Sequence, residues 1–292
     1  MNINDFISSQ LESWSEVSDR FSALDKCLTR TLDTGIRPIT LQHNPSRVIS
    51  TGAAVDDTSV SRRPCFLCRV NRPAVQRSIS YGRYEILVNP FPIFPAHLTI
   101  AAVGHTPQRI AGRFADMLRL AEKLHGHTVF YNGPRCGASA PDHFHFQAAP
   151  ARFFPIIGAL ATSTPLVSDR NVTLHNLSPA CFAVADPTPE SLTRLLEKLP
   201  ADPATALPMV NILVWHDGCR LNAIVIPRSR HRPHCYGTAS GCRLVSPASV
   251  DLAGVFVIPR CNDFRELTAI EITGIINEVT YPASRLVNII TQ

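Results

Sequence analysis

The sequence predicts an α+β fold built from two similar halves, and three observations carry that prediction. Short apolar runs at Tyr84–Val88, 98–103, His127–Asn132 and 143–148 have the length and punctuation of antiparallel strands. Between the second and third runs lies a helical period, with Ile110, Phe114, Met117, Ala121 and Leu124 on one face and Gly126 as its stop. An I-L-V…A-I-V-I-P pattern at 212–227 echoes I-L-V…L-T-I-A-A at 86–102, as two copies of one α+β module would. The expected organisation is an N-terminal helical segment over 1–43, a first half over 44–160 and a second half over 161–292.

Taken in order, residues 3–30 read as an amphipathic helix through Leu11, Trp14, Phe21, Leu24 and Leu28. Gln42 to Ser50 reads as a turn running into a short strand, and 53–63 as a polar surface loop. Pro90, Pro92 and Pro95 fix a stiff connection between the first two strands and exclude helix there. Thr106 as N-cap and Pro107 in the first turn open a helix that runs to about Leu124. In the second half, 153–160 is apolar and helical, and 172–174 and 182–185 are strands. Thr188 and Pro189 open a helix with Leu192, Leu195, Leu196 and Leu199 inward. A hairpin, 209–215 with 221–226, turns around Asp217 and Gly218. Strands over 242–246 and 250–259 and a helix over 267–279 close the chain.

Composition narrows the function classes. In 292 residues, 45% apolar and 17% charged content describes a folded globular chain, not a disordered one. No apolar run is long enough to span a membrane, and the start Met-Asn-Ile-Asn-Asp-Phe lacks a signal peptide's basic and apolar regions, so a cytoplasmic location is expected. Nine scattered cysteines, an odd number, do not read as a disulfide framework. The net charge of +5 is carried almost wholly by arginine, since Lys26, Lys123 and Lys198 are the only lysines, and no block of like charge marks a nucleic-acid partner.

The chemistry concentrates between Tyr131 and Gln147. On a strand, His143, His145 and Gln147 point one way while Phe144 and Phe146 point into a core. Ahead of them Gly133-Pro134-Arg135-Cys136-Gly137-Ala138-Ser139 is a loop of small residues whose backbone N–H groups are free to meet an anion. A neutral imidazole is a competent nucleophile near neutral pH, and fixed donors close by would hold the charge developing on phosphorus. Upstream, Cys65 and Cys68 form a C-x-x-C knuckle, which offers two thiolates to a tetrahedral zinc ion or packs as two core cysteines. Downstream, Pro227-Arg228-Ser229-Arg230-His231-Arg232-Pro233-His234 reads as a second phosphate grip or as a solvated loop.

Together N-x-F-P, P-x-H-hydrophobic, G-A-S and H-x-H-x-Q resemble the histidine-triad (HIT) superfamily. The resemblance is to its transferase branch: galactose-1-phosphate uridylyltransferase, diadenosine tetraphosphate phosphorylase and the GDP-hexose phosphorylases. It implies two HIT-like modules, antiparallel sheets with helices packed on one face, and a nucleotidyltransferase or phosphorylase working through a nucleotidyl-histidine. The same resemblance makes His145 the nucleophile, with Gln147 and Ser139 on the phosphoryl oxygens. Asn89 and Phe91 fall on the nucleoside side, and Asn132 and Arg47 on phosphate. Arg228 joins them as the second grip. Cys65, Cys68, His105 and His143 match the ligands of a structural zinc ion. Pro90 stands where the uridylyltransferases carry an aspartate, and one extra residue separates Ser139 from His143. The implied partners are a nucleotide sugar or dinucleotide with phosphate or a sugar phosphate, and a homodimer is compatible; no nucleic acid and no membrane are expected. A HIT-type nucleotide hydrolase and a non-catalytic, zinc-stabilised nucleotide-binding protein are the alternatives.

Overall fold

The computed structural model describes residues 2–291. Its thirteen strands are β1 Leu28–Asp33, β2 Pro38–His43, β3 Ile79–Tyr81, β4 Tyr84–Val88, β5 Leu98–Ala102, β6 His127–Asn132 and β7 His145–Pro150, followed by β8 Val167–Asp169, β9 Val172–Asn176, β10 Ala180–Ala185, β11 Val210–His216, β12 Leu221–Pro227 and β13 Val255–Ile258. Ten of them form one sheet in the order β3-β4-β5-β7-β6-β11-β12-β10-β9-β8, with every neighbouring pair antiparallel. Each half of that order reads first-second-third-fifth-fourth strand, so the sheet is two copies of one five-strand pattern. They are joined through their fourth strands, β6 and β11, with Asn132 opposite Asn211. The α+β class and the duplicated module are therefore present in the backbone.

The helix between third and fourth strands is Phe114–Lys123 in the first copy and Pro189–Glu197 in the second. The two helices pack together on one face of the sheet, over a core that includes Phe144, Phe146, Met117, Leu120, Leu192, Leu195 and Ile212. Thr188 caps the second helix through a reciprocal capping box with Ser191, an arrangement that satisfies N–H groups the helix leaves open. Strand alternation sends Phe146 into this core and leaves His145 and Gln147 on the other face. That face is covered by a small sheet, β1-β2-β13, and by Pro155–Thr162, Cys261–Glu266 and Ala269–Val279 around a second core. The N-terminal hairpin and the C-terminal segment thus close over the surface that carries the polar residues.

Several boundaries differ from the sequence reading. The N-terminal helix spans Ile3–Ser13, breaks at Trp14 (φ −134°, ψ 82°) and resumes as Ser15–Ser22. Residues 28–43, expected in the helical segment, are the β1–β2 hairpin. Alternating Thr29, Arg30, Thr31 and Leu32 suit a strand, and Gly35, at φ +76°, makes the turn. The helix expected to begin at Thr106 begins at Phe114, because Gly112 takes φ +73° and Gln108 is drawn into the sheet. After Asn44 the chain makes a 3₁₀ turn, Pro45–Arg47, and one helical turn, Val48–Thr51, in place of a strand. The strand expected over 250–259 is split at Gly254 (φ +116°) into a helical turn, Ser249–Leu252, and β13. Residues 242–246 contribute a single bridge, Tyr236 to Arg243. Among the described residues no helix is long and apolar enough to cross a membrane.

Candidate functional site

A cavity of about 500 Å³ opens on the polar face of the first module and is closed from the side by the second half. His145, Gln147, Ser139, Asn132, Asn89, Phe91 and Arg47 all line it. Seven of the eight residues expected around a nucleotide thus converge, although they come from five separate segments. The eighth, Arg228, does not. It is 1% exposed, and its guanidinium donates to the carbonyls of Val279 (2.9 Å), Pro247 (2.9 Å), Arg230 (3.1 Å) and His231 (2.9 Å) and to Oδ1 of Asn211 (2.8 Å). Those bonds occupy the planar fork, which leaves it nothing for a phosphate.

His145 opens β7, where β6 and β7 have begun to part. The ladder between them ends at Phe130 and Gln147. Beyond that pair the buried Gln108 amide takes the place of a strand neighbour. It donates to the carbonyls of Asn132 (3.0 Å) and His145 (2.9 Å) and accepts from the His145 N–H (2.8 Å). The His145 Nδ1 lies 2.9 Å from the carbonyl oxygen of His143. A carbonyl only accepts, so Nδ1 carries the proton and Nε2 keeps its lone pair. Burial lowers the His145 pKa to about 4, with the neighbouring His143 ring pushing the same way, so the ring is neutral at physiological pH.

Gln147 is held by a residue absent from the expected set. His97 is fully buried; its Nδ1 accepts from the Ile93 N–H (3.2 Å), so Nε2 carries the proton and donates to Oε1 of Gln147 (3.0 Å). The Gln147 NH₂ is thereby left for the cavity. Burial, reinforced by the Arg47 charge, lowers the His97 pKa to about 3. Asn89 turns both ends of its amide inward, donating to Thr99 Oγ1 (3.0 Å) and accepting from the Phe91 N–H (2.9 Å). It shapes the turn that presents Phe91, whose ring lies 4.4 Å beneath the Arg20 guanidinium.

The expected small-residue loop lies along the cavity wall. The backbone N–H groups of Gly137, Ala138 and Ser139 have no hydrogen-bond partner among the described residues, and all three residues line the space. Gly137 sits at φ +93°, and a Cβ there would lie 2.4 Å from that of Ala248, so only glycine lets the loop pack this closely. Four arginines line the cavity and bring positive charge, Arg20 over Phe91 and three more. Arg47 donates to the Phe91 carbonyl (2.8 Å) and has no partner for Nε; burial lowers its pKa to about 10, which leaves it charged. Arg63 donates to the Ser139 carbonyl (2.7 Å), and Arg232 to Ala53 (2.8 Å) and Ser246 (3.1 Å). The downstream basic cluster is thus divided. Arg232 and His231 line the cavity, Arg228 is buried structure, and Arg230 pairs at the surface with Glu278.

Beside the cavity the four expected metal ligands meet. Cys65 Sγ lies 3.3 Å from His143 Nδ1, and Cys68 Sγ lies 3.2 Å from His105 Nδ1 and 3.5 Å from His143 Nδ1. All four donor atoms fall within 4.8 Å of one another, so the cluster could hold a metal ion. His143 Nε2 donates to the Ala102 carbonyl (2.8 Å), which turns Nδ1 toward the thiols.

His97, which the sequence reading missed, stands inside the P-x-H motif and so carried a signal; Arg232 belongs to the basic cluster that was read as a second phosphate grip. Gln108 and Asn211 carried none: an isolated amide announces nothing until the fold buries it.

A family model described as a domain of unknown function (DUF4922) matches residues 6–150. Comparison with curated proteins gives no match. Among solved structures the chain is similar to yeast Ap4A phosphorylase Apa2 in complex with Ap4A, with a TM-score of 0.60, 17% identity, and coverage of 92% of this chain and 97% of that one. The same enzyme in complex with AMP gives a TM-score of 0.58 at 18% identity, covering 94% and 97%. The likeness extends over both halves, and it shows that the fold is the one the histidine-triad transferase motifs implied.

Proposed function

We propose that the protein transfers a nucleoside monophosphate through His145, in two displacements. Nε2 of the neutral ring attacks the α-phosphorus of a dinucleoside polyphosphate or nucleoside diphosphate sugar. A P–N bond forms, the bridging P–O bond breaks, and the phosphorylated remainder leaves with the bond's electrons on oxygen. Inorganic phosphate or a sugar phosphate then attacks the same phosphorus and frees the ring. The carrying observation is that His145 Nε2 is unprotonated and makes no hydrogen bond among the described residues, on the wall of a cavity large enough for a nucleotide. The NH₂ groups of Gln147 and Asn132, the amides of 137–139 and the Arg47 guanidinium supply fixed donors for the phosphoryl oxygens. Arg63 and Arg232, which line the same cavity, offer charge to a phosphorylated acceptor, and this favours transfer over hydrolysis.

The Cys65, Cys68, His105 and His143 set suits zinc. A tetrahedral ion with Zn–S of about 2.3 Å and Zn–N of about 2.0–2.1 Å separates its ligand atoms by roughly 3.3–3.8 Å, and the sulfur–nitrogen distances here are 3.2–3.5 Å. When bound, the ion would act structurally by tying the knuckle to the start of the catalytic strand. His143 serves twice, since its ring belongs to the cluster and its carbonyl holds the His145 proton.

The test is retention of label. The protein is incubated with α-³²P-labelled Ap4A without phosphate, and acid-labile label on intact protein is measured, then chased with inorganic phosphate. Wild type should hold label and release it as ADP on addition of phosphate, and His145→Ala should hold none. Turnover that ignores phosphate would point to hydrolysis, and nucleotide binding without any label would refute transfer.

A further inference from the structure

Besides the residues with which it closes the cavity, the second half sends a buried polar chain to one cavity residue of the first. We infer that Arg228 and Asn211 are positioning residues that fix which end of the Asn132 amide faces the substrate. This rests on the reading of the cavity as a nucleotidyl-transfer site and adds what decides the polarity of one of its donors.

The deduction starts from Arg228, the one side chain of the three that can only donate. The guanidinium of Arg228 has no acceptor, and its NH1 lies 2.8 Å from Asn211. Asn211 must therefore present Oδ1 to Arg228, and its Nδ2 then points the other way, 2.8 Å from Asn132 Oδ1 and 2.8 Å from the Cys136 carbonyl. Asn132 must in turn present oxygen to Asn211. A second, independent donor agrees, because the backbone N–H of Ser249 meets the same Oδ1 at 2.9 Å. With its oxygen taken by Asn211 on one side and by both the N–H and the Oγ–H of Ser249 (Oγ at 2.7 Å) on the other, Asn132 can offer the cavity only its NH₂, and Nδ2 has no hydrogen-bond partner among the described residues. All three side chains are nearly or fully buried, so water cannot substitute for a missing member. The register places Asn132 and Asn211 directly opposite each other at the seam of the two modules. The seam thus serves as the route by which the second module sets a donor in the first.

Reversing the amide would aim a carbonyl oxygen at phosphoryl oxygens, which removes one donor and adds a repulsion. The loss of one such preorganised donor lowers kcat by roughly 10²-fold.

The experiment measures kcat, KM and thermal stability for Ap4A phosphorolysis in wild type, Asn211→Asp, Arg228→Lys, Arg228→Gln and Asn132→Asp. Asn211→Asp keeps a partner for Arg228 but cannot donate to Asn132, so it should fold and lose about 10²-fold in kcat with KM changed far less. Asn132→Asp alone should cost at least as much, since it removes the same donor and turns a carboxylate oxygen toward the phosphate. Arg228→Lys remains a pure donor toward Asn211 but abandons several carbonyls. It should lose stability while keeping more activity than Arg228→Gln, which can present either end of its amide. A purely structural role predicts the opposite, with activity following stability across the set. A folded Asn211→Asp with wild-type kcat would overturn the relay, and if that variant does not fold, Arg228→Lys falling to the level of Arg228→Gln would do so. Wild type that neither takes label from Ap4A nor binds AMP by calorimetry would refute the site reading itself. Wild type that takes label while the variants match it would refute the relay alone.

Discussion

The buried His97 makes acid sensitivity a quantitative test of the site's construction. In the folded chain burial, aided by the Arg47 charge, lowers its pKa to about 3, whereas an unfolded histidine titrates near 6.5. A group whose folded pKa lies below its unfolded one contributes stability above the unfolded value and loses that contribution as pH falls. Between pH 7 and pH 5 the unfolded chain gains most of a proton at this position and the folded chain gains almost none. The resulting loss is about 2 kcal/mol. For 292 residues an unfolding entropy of about 0.6 kcal/mol per degree turns that into roughly 3 °C of Tm. His97→Gln cannot titrate but keeps an amide N–H for Gln147, so its Tm should fall less over the same interval by that amount. Differential scanning calorimetry of both proteins at pH 7 and pH 5 cancels the groups they share, His145 included. Parallel pH dependences would mean that the imidazole protonates freely in the folded state, and the assignment of the Gln147 amide would lose its basis.

Three further outcomes follow from the same geometry. Gln147→Glu replaces the cavity-facing NH₂ by an oxygen while still accepting from His97, so kcat for Ap4A phosphorolysis should fall about 10²-fold with the fold intact; near-normal kcat would exclude Gln147 as a phosphoryl donor. Gln108→Ala leaves the His145 N–H and two carbonyls without partners, at about 1–3 kcal/mol for each buried group, and should lower both Tm and the rate of His145 labelling. Cys65→Ser should lower bound zinc per chain in elemental analysis, and unchanged stoichiometry would remove that thiol from the ligand set.

Much of the first module was legible before any coordinate. Phe144 and Phe146 alternate with His143, His145 and Gln147, and a two-residue period has one structural meaning in an antiparallel sheet, so the apolar pair fixes where the polar residues face. The knuckle was legible because metal chemistry demands few residue types at restricted spacing, and the two histidines through the resemblance that the motifs carry. The helix start at 106 failed because Thr106 and Pro107 are sound local signals that lost to a tertiary demand. Gln108 is needed between β6 and β7, and a helix there would carry it away.

Sequence alone determined the strand faces, the histidine and cysteine sets and the doubled module. Tertiary structure decided the rest. It buried Arg228, which composition offered as a phosphate ligand, and brought Arg232 from the same cluster to the cavity. It also chose which end of each amide looks inward. The physical reason is that covalent order sets period and local conformation, whereas the polarity of a buried hydrogen bond depends on partners far along the chain. Arg228, Asn211 and Asn132 meet only when β6 and β11 pair.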